Sequence, residues 1–563
     1  MTQAKSIKPQ PITKLNTTKR FPETEEDITI KLPKVWLALV AFLLYLPTLY
    51  FGYTELDDSI FIREFVDYNK DISNLFVSFT RGVFNATTDP YYRPLFLDLN
   101  IINFKLFGEN IGGWHFVNVL LHVISVVLLH SVFIKLKIKD LHAFLLALMF
   151  AVHPVITQAV TWIPGRNDTL LAVFTFAFFM HSMQFAEHGK MKNLIWATLM
   201  LALAFFTKET AVFVPPACFT LLVLSLRHKW TSNSMIIQYI AWIGVGCIWF
   251  VARSMATLKT NPIDPGVMVQ TFIHRLGLIV QYIGKIVLPV NLSVFPIQED
   301  TVYYYGFIAL AVISIAVIMA RPILWRQIAI GWSLFLLFLI PALLVPNTLN
   351  EQTFEHRLYL PIIGVLLLLP ETFLFKKKTD SWLFIYGVII CIIFAGTNLR
   401  HQRHFETPVA FWTQAVETSP NSAYANMMLG ARIDNLEQSY ALFRKAYRLN
   451  PKEKYLGYYY GKMMQMQDSI LASEKYLLAE KNTSGYYECD FYLARVAMLK
   501  NDTLGSINYL KNYLKTDPAN ANANNNLLLM LLSTNRLDDA RAVVGQMQLH
   551  GVPVPPEVSA RLR

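Results

Sequence analysis

Between Lys34 and about Thr397, apolar runs long enough to cross a bilayer follow one another, and after Asn398 they stop. A hydrocarbon core roughly 30 Å thick needs about 20 apolar residues per crossing helix. In lipid, backbone groups that are not paired within a helix or a closed barrel are costly, so such a succession specifies an all-α polytopic membrane unit. Composition agrees: 54% of the 563 residues are apolar and only 16% are charged, where a soluble globular chain carries about 25% charge. Candidate spans are 35–53, 112–134, 141–158, 168–186, 193–207, 209–226, 235–252, 302–320, 326–345, 358–374 and 381–397, about eleven in all, with a further apolar stretch at 271–290. The chain therefore divides into a polar tail 1–34, a membrane unit 35–397 and a soluble region 398–563.

Basic loops set the orientation, because Lys and Arg collect on the cytoplasmic side. Alternating spans put the tail (Lys5, Lys8, Lys14, Lys19, Arg20) inside, together with Lys135/Lys137/Lys139, Lys190/Lys192 and Arg227/Lys229. Alternation fails if 271–290 crosses, since Arg321/Arg326 and Lys376–Lys378 then fall outside. A re-entrant or interfacial 271–290 restores them, and His274, Arg275, Gln281 and Lys285 suit such a segment. The expected layout is eleven spans, a cytoplasmic N-terminus and an extracytoplasmic C-terminal region. The loop Tyr53–Asn110 then lies outside, with outer turns near 159–167, 207–209, 253–270 and 346–357. Ser78–Asn110 is expected to run along the membrane surface as short amphipathic helices.

Several function classes are disfavoured at this stage. Cys218, Cys247 and Cys391 sit in apolar runs, Cys489 stands alone, and no Cys-x-x-Cys or Cys/His cluster suggests zinc or a disulfide framework. The net charge of +11 is not gathered in a soluble patch, so nucleic acid is not an expected partner. The first apolar segment is long enough to span, which argues against a cleavable signal.

The C-terminal region reads as helical repeats. Trp412, Ala415 and Pro420, then Phe443, Ala446 and Pro451, then Leu510, Tyr513 and Pro518 repeat one spacing, and Gly430 and Gly461 each follow a proline by ten residues. The pattern is similar to the tetratricopeptide repeat of about 34 residues, whose small residues let antiparallel helices approach. Such arrays usually bind peptide or protein.

Ionisable groups near a bilayer are costly, so those retained at span ends are candidate site residues. Asp57 and Asp58 follow the first span; Tyr92 and Arg93 lie in the same outer loop. His153, Arg166 and Asp168 flank the turn after the third span, Lys208-Glu209 joins the fifth and sixth, and Glu355-His356-Arg357 precedes the tenth. This set suits sugar transfer from a lipid-linked phosphate. A carboxylate can deprotonate an acceptor hydroxyl or position a metal, and Arg or Lys can bind a phosphate leaving group. Each residue also has a structural reading: Lys208-Glu209 as an ion pair, Arg166 and Asp168 as helix-start residues, and Arg93 as a headgroup contact. His115, His122, His130 and His181 read as packed helix histidines.

Taken in order, the motifs carry a resemblance. Asp57-Asp58 with Ile60, Tyr92-Arg93-Pro94-Leu95, and His115 to His122 with Asn118 come first. Phe150-Ala-Val-His153-Pro154 with Gln158-Ala-Val160, Gly165-Arg166 and Asp168, Lys208-Glu209, and Arg357-Leu-Tyr359-Leu-Pro361 follow. Together they resemble the transmembrane and tetratricopeptide-repeat O-mannosyltransferase family. That resemblance implies a GT-C glycosyltransferase fold, a polyprenyl- or dolichyl-phosphate sugar donor, typically of mannose, and inverting transfer to Ser or Thr hydroxyls of proteins. It implies a base at Asp57, with Asp58 as neighbour or alternative. Tyr92, Arg93, His153, Arg166, Asp168, Lys208, Glu209, Glu355, His356 and Arg357 would serve the donor phosphate and sugar or shape the pocket. No cofactor is expected; a divalent metal at Asp57/Asp58 is chemically allowed and not favoured. The repeats would receive the protein acceptor.

Two departures stand out: the repeat array is shorter than in eukaryotic members, and Gly165-Arg166-Asn167-Asp168 matches only in its Gly-Arg and acidic positions. A bacterial relative implies undecaprenyl phosphate and periplasmic repeats, a eukaryotic one an endoplasmic-reticulum membrane with lumenal repeats. Two other classes compete. A non-enzymatic scaffold would not need these charged groups, and a transporter of lipid-linked sugars would favour polar groups at mid-membrane.

Overall fold

The computed structural model describes residues 28–84, 90–257, 264–345, 352–466, 469–556 and 558. Most of the basic tail, and parts of the expected outer loops near 253–270 and 346–357, lie outside these residues. Among the described residues there is no strand, only one antiparallel bridge between Ile297 and Gln352.

Six described helices are long and apolar enough to cross a membrane: Pro33–Tyr50, Ile111–Lys135, Ile163–His188, Asn233–Ala256, Trp325–Leu344 and Asp380–Phe405. Asp140–Val152 and Pro154–Thr161 form a seventh candidate, bent by 47° at His153-Pro154. Proline supplies no N–H to the ladder and disfavours helical geometry in the residue before it. Met191–Thr207, Glu209–Ser225, Leu278–Val287 and Tyr304–Met319 are shorter apolar helices. These many apolar helices make the chain a multi-pass membrane protein.

Two expected segments differ from simple spans. The stretch 358–374 is not one helix but the pieces Glu355–Leu358, Ile362–Leu366, Leu369–Glu371 and Phe373–Lys377, interrupted around Pro361 and Pro370. The stretch 271–290 is shared between Pro265–Arg275 and Leu278–Val287. The second of these touches Tyr304–Met319 so closely that a methyl group on Gly284 or Gly306 would strike the opposing backbone. In the loop after the first span, Pro94–Phe107 is a helix of 14 residues rather than one of several short pieces.

Reversals between helices have local causes. Arg166–His188 ends at Gly189, whose φ of 65° is costly for a residue with a side chain, and Met191–Thr207 then packs back along it. Ile111–Lys135 begins where the Asn110 side chain accepts from the Gly112 amide. The basic turns gather at one end of the bundle. Lys135 pairs with Glu187 at 3.7 Å, Lys139 with Asp380 at 2.9 Å, and Lys376 with Glu371. The candidate site residues all lie at the other end.

From Pro408 to Leu549, nine helices of the described residues follow one another, each packed mainly on the helices before and after it. Trp412, Ala415, Phe443, Ala446, Leu510 and Tyr513, picked out by the proline spacing, are buried in their cores. This array is joined to the membrane helices by a strap around residues 292–298. Gln414 accepts from the Val294 amide and donates to the Leu292 carbonyl, both at 2.9 Å, and Ser419 donates to the Phe295 carbonyl at 2.8 Å. Below the strap, Lys285 Nζ lies 2.6 Å from Glu355 Oε1, with both side chains almost fully buried. The same carboxylate oxygen accepts from the Ser293 amide at 2.8 Å.

Removing one member of a buried pair leaves the other charge without compensation, whereas removing both can be nearly neutral. Lys285→Met is therefore expected to destabilise the protein by about 3–5 kcal/mol. Lys285→Met combined with Glu355→Leu should recover most of that loss. Thermal unfolding of the purified variants in detergent checks this; equal losses in the single and double variants would show that the pair is not the source.

Candidate functional site

The ends of the helices opposite the basic turns enclose a cavity of about 380 Å³. Its polar side is formed by Asp57, Arg93, Asp168, Lys208, Glu209, His356 and Arg357, contributed by five separate segments. Its apolar side includes Leu171, Phe213, Phe338, Pro341, Leu344 and Leu360. A polar cluster beside an apolar slot can hold a ligand that has both a polar and an apolar part.

Asp57 and Asp58 have different surroundings. Asp58 is 1% exposed, and its oxygens accept from the Thr54 amide at 2.6 Å, the Thr54 hydroxyl at 2.9 Å and the Ser59 amide at 2.9 Å. It folds the loop. Asp57 lines the cavity, and among the described residues no group hydrogen-bonds its carboxylate. Desolvation pushes its pKa up to about 7; the charge of Asp58 adds to the rise and Arg93 opposes it. Such a carboxylate is well poised to take a proton near neutral pH.

The cations fall into two kinds. Arg93 Nε is 2.9 Å from Glu209 Oε2, and Lys208 Nζ is 2.6 Å from Asp168 Oδ1. Arg357 has no ion-pair partner among the described residues, and its Nη1 is buried without a hydrogen bond. The other oxygen of Asp168 and the indole N–H of Trp162, both on residues that line the cavity, are likewise buried and unpartnered. Leaving buried polar atoms unsatisfied costs about 1–3 kcal/mol each, so these three atoms, which share one cavity, suit a polar ligand.

Four of the sequence candidates have structural contacts instead. Tyr92 gives only its backbone amide to Glu209, at 2.7 Å, while its hydroxyl donates to the Phe79 carbonyl; it is Tyr91 that faces the cavity, beneath the Arg93 guanidinium at 4.6 Å. His153 bridges the Ile286 carbonyl and the Val155 amide, holding the bend against Leu278–Val287. Arg166 is fully buried over the Trp114 ring, donating to Asn118, the Trp114 carbonyl, the Ile163 carbonyl and Asn100. Glu355 is occupied by Lys285. Trp162 and Arg253 are among the cavity residues that the sequence does not single out. Both fall in expected outer turns, at 159–167 and 253–270, where a lone aromatic or a lone cation carries no distinguishing spacing. Among the described residues, no three of His, Cys, Asp and Glu form a group able to hold a metal ion.

The loop that presents Asp57 is held from the helical array as well as from the membrane side. The Trp412 indole donates to the Thr54 carbonyl at 3.1 Å, Arg432 pairs with Glu55 at 2.9 Å, and the Gly52 amide donates to the Glu406 carbonyl at 2.9 Å.

Parts of the chain are similar to known proteins. Residues 94–252 match the family described as dolichyl-phosphate-mannose-protein mannosyltransferase. A Caenorhabditis elegans protein O-mannosyl-transferase, F38B6.6, is 21% identical over 369 residues, 62% of this chain and 52% of that protein. Mouse TMTC1 is 32% identical over 172 residues, 28% of this chain and 18% of its own length. Human TMTC4 is 35% identical over 149 residues, 23% and 20% respectively. The chain thus matches about half the length of the worm relative and smaller shares of the mammalian ones. The order of the motifs and these matches together make the chain similar, over part of its length, to the TMTC-like protein O-mannosyl-transferases.

Proposed function

We propose that this protein transfers a sugar, mannose or another hexose, from a polyprenyl- or dolichyl-phosphate donor to Ser or Thr hydroxyls of a protein on the extracytoplasmic side of its membrane. The observation that carries the proposal is the cavity in which Asp57 and Arg357, neither of them ion-paired among the described residues, share one space with an apolar wall. The relatives named as O-mannosyl-transferases favour mannose. The basic turns at the far end of the bundle favour a cytoplasmic position for that end and an extracytoplasmic one for the cavity. On this reading the membrane region is a GT-C catalytic unit and the array from Pro408 onward is a tetratricopeptide-like platform for the acceptor.

In the proposed reaction the acceptor oxygen attacks the anomeric carbon as Asp57 takes its proton. The bond from the anomeric carbon to the phosphate oxygen breaks, and its electron pair leaves with the polyprenyl phosphate. Inversion follows from attack opposite the leaving group. Arg357, with Arg93 and Lys208 held nearby by Glu209 and Asp168, meets the charge that develops on the phosphate. Side-chain cations fill this role, so the proposed reaction uses no metal ion.

Two outcomes test it. With Asp57 near pH 7, kcat/KM for transfer is expected to fall about tenfold per pH unit below that value, as the base becomes protonated, and to level off above it. Asp57→Asn should lower transfer by about 10²–10⁴-fold while the protein stays folded. Full transfer by Asp57→Asn protein, from a purified polyprenyl-phosphate sugar to an acceptor in detergent, would remove Asp57 from the mechanism. Arg357→Gln should weaken inhibition by polyprenyl phosphate by about 10- to 100-fold, the size of a lost hydrogen bond to a charged group. Unchanged inhibition would place the phosphate elsewhere.

A further inference from the structure

His356 sits among cations, yet its ring is fixed as a hydrogen-bond acceptor towards the cavity. The amide of Gln158 sets this. Its Nε2 donates to the Val294 carbonyl at 2.9 Å, a partner that can only accept. Its Oε1 therefore faces the His356 backbone amide, at 3.2 Å, and the His356 ring at Nδ1, at 3.1 Å. Nδ1 must carry the ring proton to bond that oxygen, which leaves Nε2 with a lone pair. Among the described residues, nothing bonds Nε2. Burial, with Lys208, Arg357 and Arg93 close by, holds the ring well below the usual histidine range, so Nε2 stays unprotonated. The ring is also fixed sideways, 5.1 Å from Phe354 and 5.6 Å from Trp162.

An unprotonated Nε2 is the wrong group for the donor phosphate. The phosphate joining a sugar to a polyprenol is a diester, with no proton to give, and its oxygens would face a lone pair. A hydroxyl is the right group. Arg357 is the next residue along, so the ring lies beside the cation suited to the phosphate, where the first sugar ring is attached. Trp162, its ring tilted against that of His356, adds an unpartnered indole N–H to the same wall, and a hydroxyl can accept from it.

Building on the proposed reaction, we infer that His356 is a sugar-recognition residue: its Nε2 accepts a hydrogen bond from one hydroxyl of the transferred hexose, and Gln158 is the positioning residue that fixes the tautomer. A site built to bond a hydroxyl discriminates strongly against a sugar that lacks it, because the buried acceptor is left unpaired.

The test uses the full chain in detergent at pH 7.5 to 8, with polyprenyl-phosphate mannose and the mono-deoxy analogues of its sugar. In the unmodified protein, one deoxy donor should transfer about 10- to 100-fold less well than the parent. His356→Phe keeps a ring in the stack and removes the acceptor. It should lower kcat/KM for the parent donor by a similar factor and cause little further loss with that same deoxy donor. Inhibition by polyprenyl phosphate, which has no sugar, should stay within twofold, and this also shows that the variant is folded. His356→Gln, which returns an acceptor, should recover part of the loss.

The inference is overturned if all deoxy donors match the parent, if His356→Phe transfers normally, or if polyprenyl phosphate inhibition falls in parallel with transfer. A change confined to the KM of the protein acceptor would assign the hydroxyl to the acceptor and overturn it as well. Failure of the unmodified protein to transfer from any polyprenyl-phosphate sugar would instead count against the proposed reaction itself.

Discussion

The ion pair between Lys285 and Glu355 is the contact on which one wall of the site hangs. Two charges with almost no exposure lie 2.6 Å apart, and neither could be buried alone without a large desolvation cost. Lys285 comes from the helix Leu278–Val287, and Glu355 from the turn that also carries His356 and Arg357. Because Glu355 also accepts from Ser293, the pair fixes the strap that receives Gln414 of the first array helix and Ser419 just after it. The membrane helices, the His356-Arg357 turn and the array thus share one electrostatic anchor.

A second pattern concerns how charge is distributed between framework and cavity. Groups whose hydrogen bonds are complete, such as Asp58, His153 and Arg166, shape loops and bends. Groups with an unused atom, such as Asp57, Asp168, Arg357 and Trp162, face the cavity or line it. Burial alone does not separate these roles, since Arg166 is the most buried cation of the set. Satisfaction does. A polar atom left without a partner is tolerated where a ligand can supply one.

Much of this was legible in the sequence, for identifiable reasons. Apolar runs announce helices that must satisfy their own backbone, and motifs at run ends announce the polar end of the bundle. Asp57, Arg93, Asp168, Lys208, Glu209, His356 and Arg357 stand at such run ends and line the cavity. The sequence could not separate Asp57 from Asp58, since that depends on which carboxylate Thr54 and Ser59 engage. It grouped Arg166 and Glu355 with the site because a motif marks a costly charge without naming its partner. Asn118 and Lys285, the partners that make those charges structural, lie 48 and 70 residues away. The break at 358–374 was hidden for a different reason: its hydropathy is that of a span, and only Pro361 and Pro370 interrupt it.

The contacts from Trp412 to Thr54 and from Arg432 to Glu55 have a bearing on how such proteins can be recombined. An array attached only by a linker could be exchanged between relatives as a self-contained cassette. Here the first array helices supply hydrogen bonds to the very loop that carries Asp57. A transplanted array must therefore bring a tryptophan and an arginine matched to the host loop, or the loop from residue 52 to 58 must travel with it. The two halves are separate in sequence but joined as one working part.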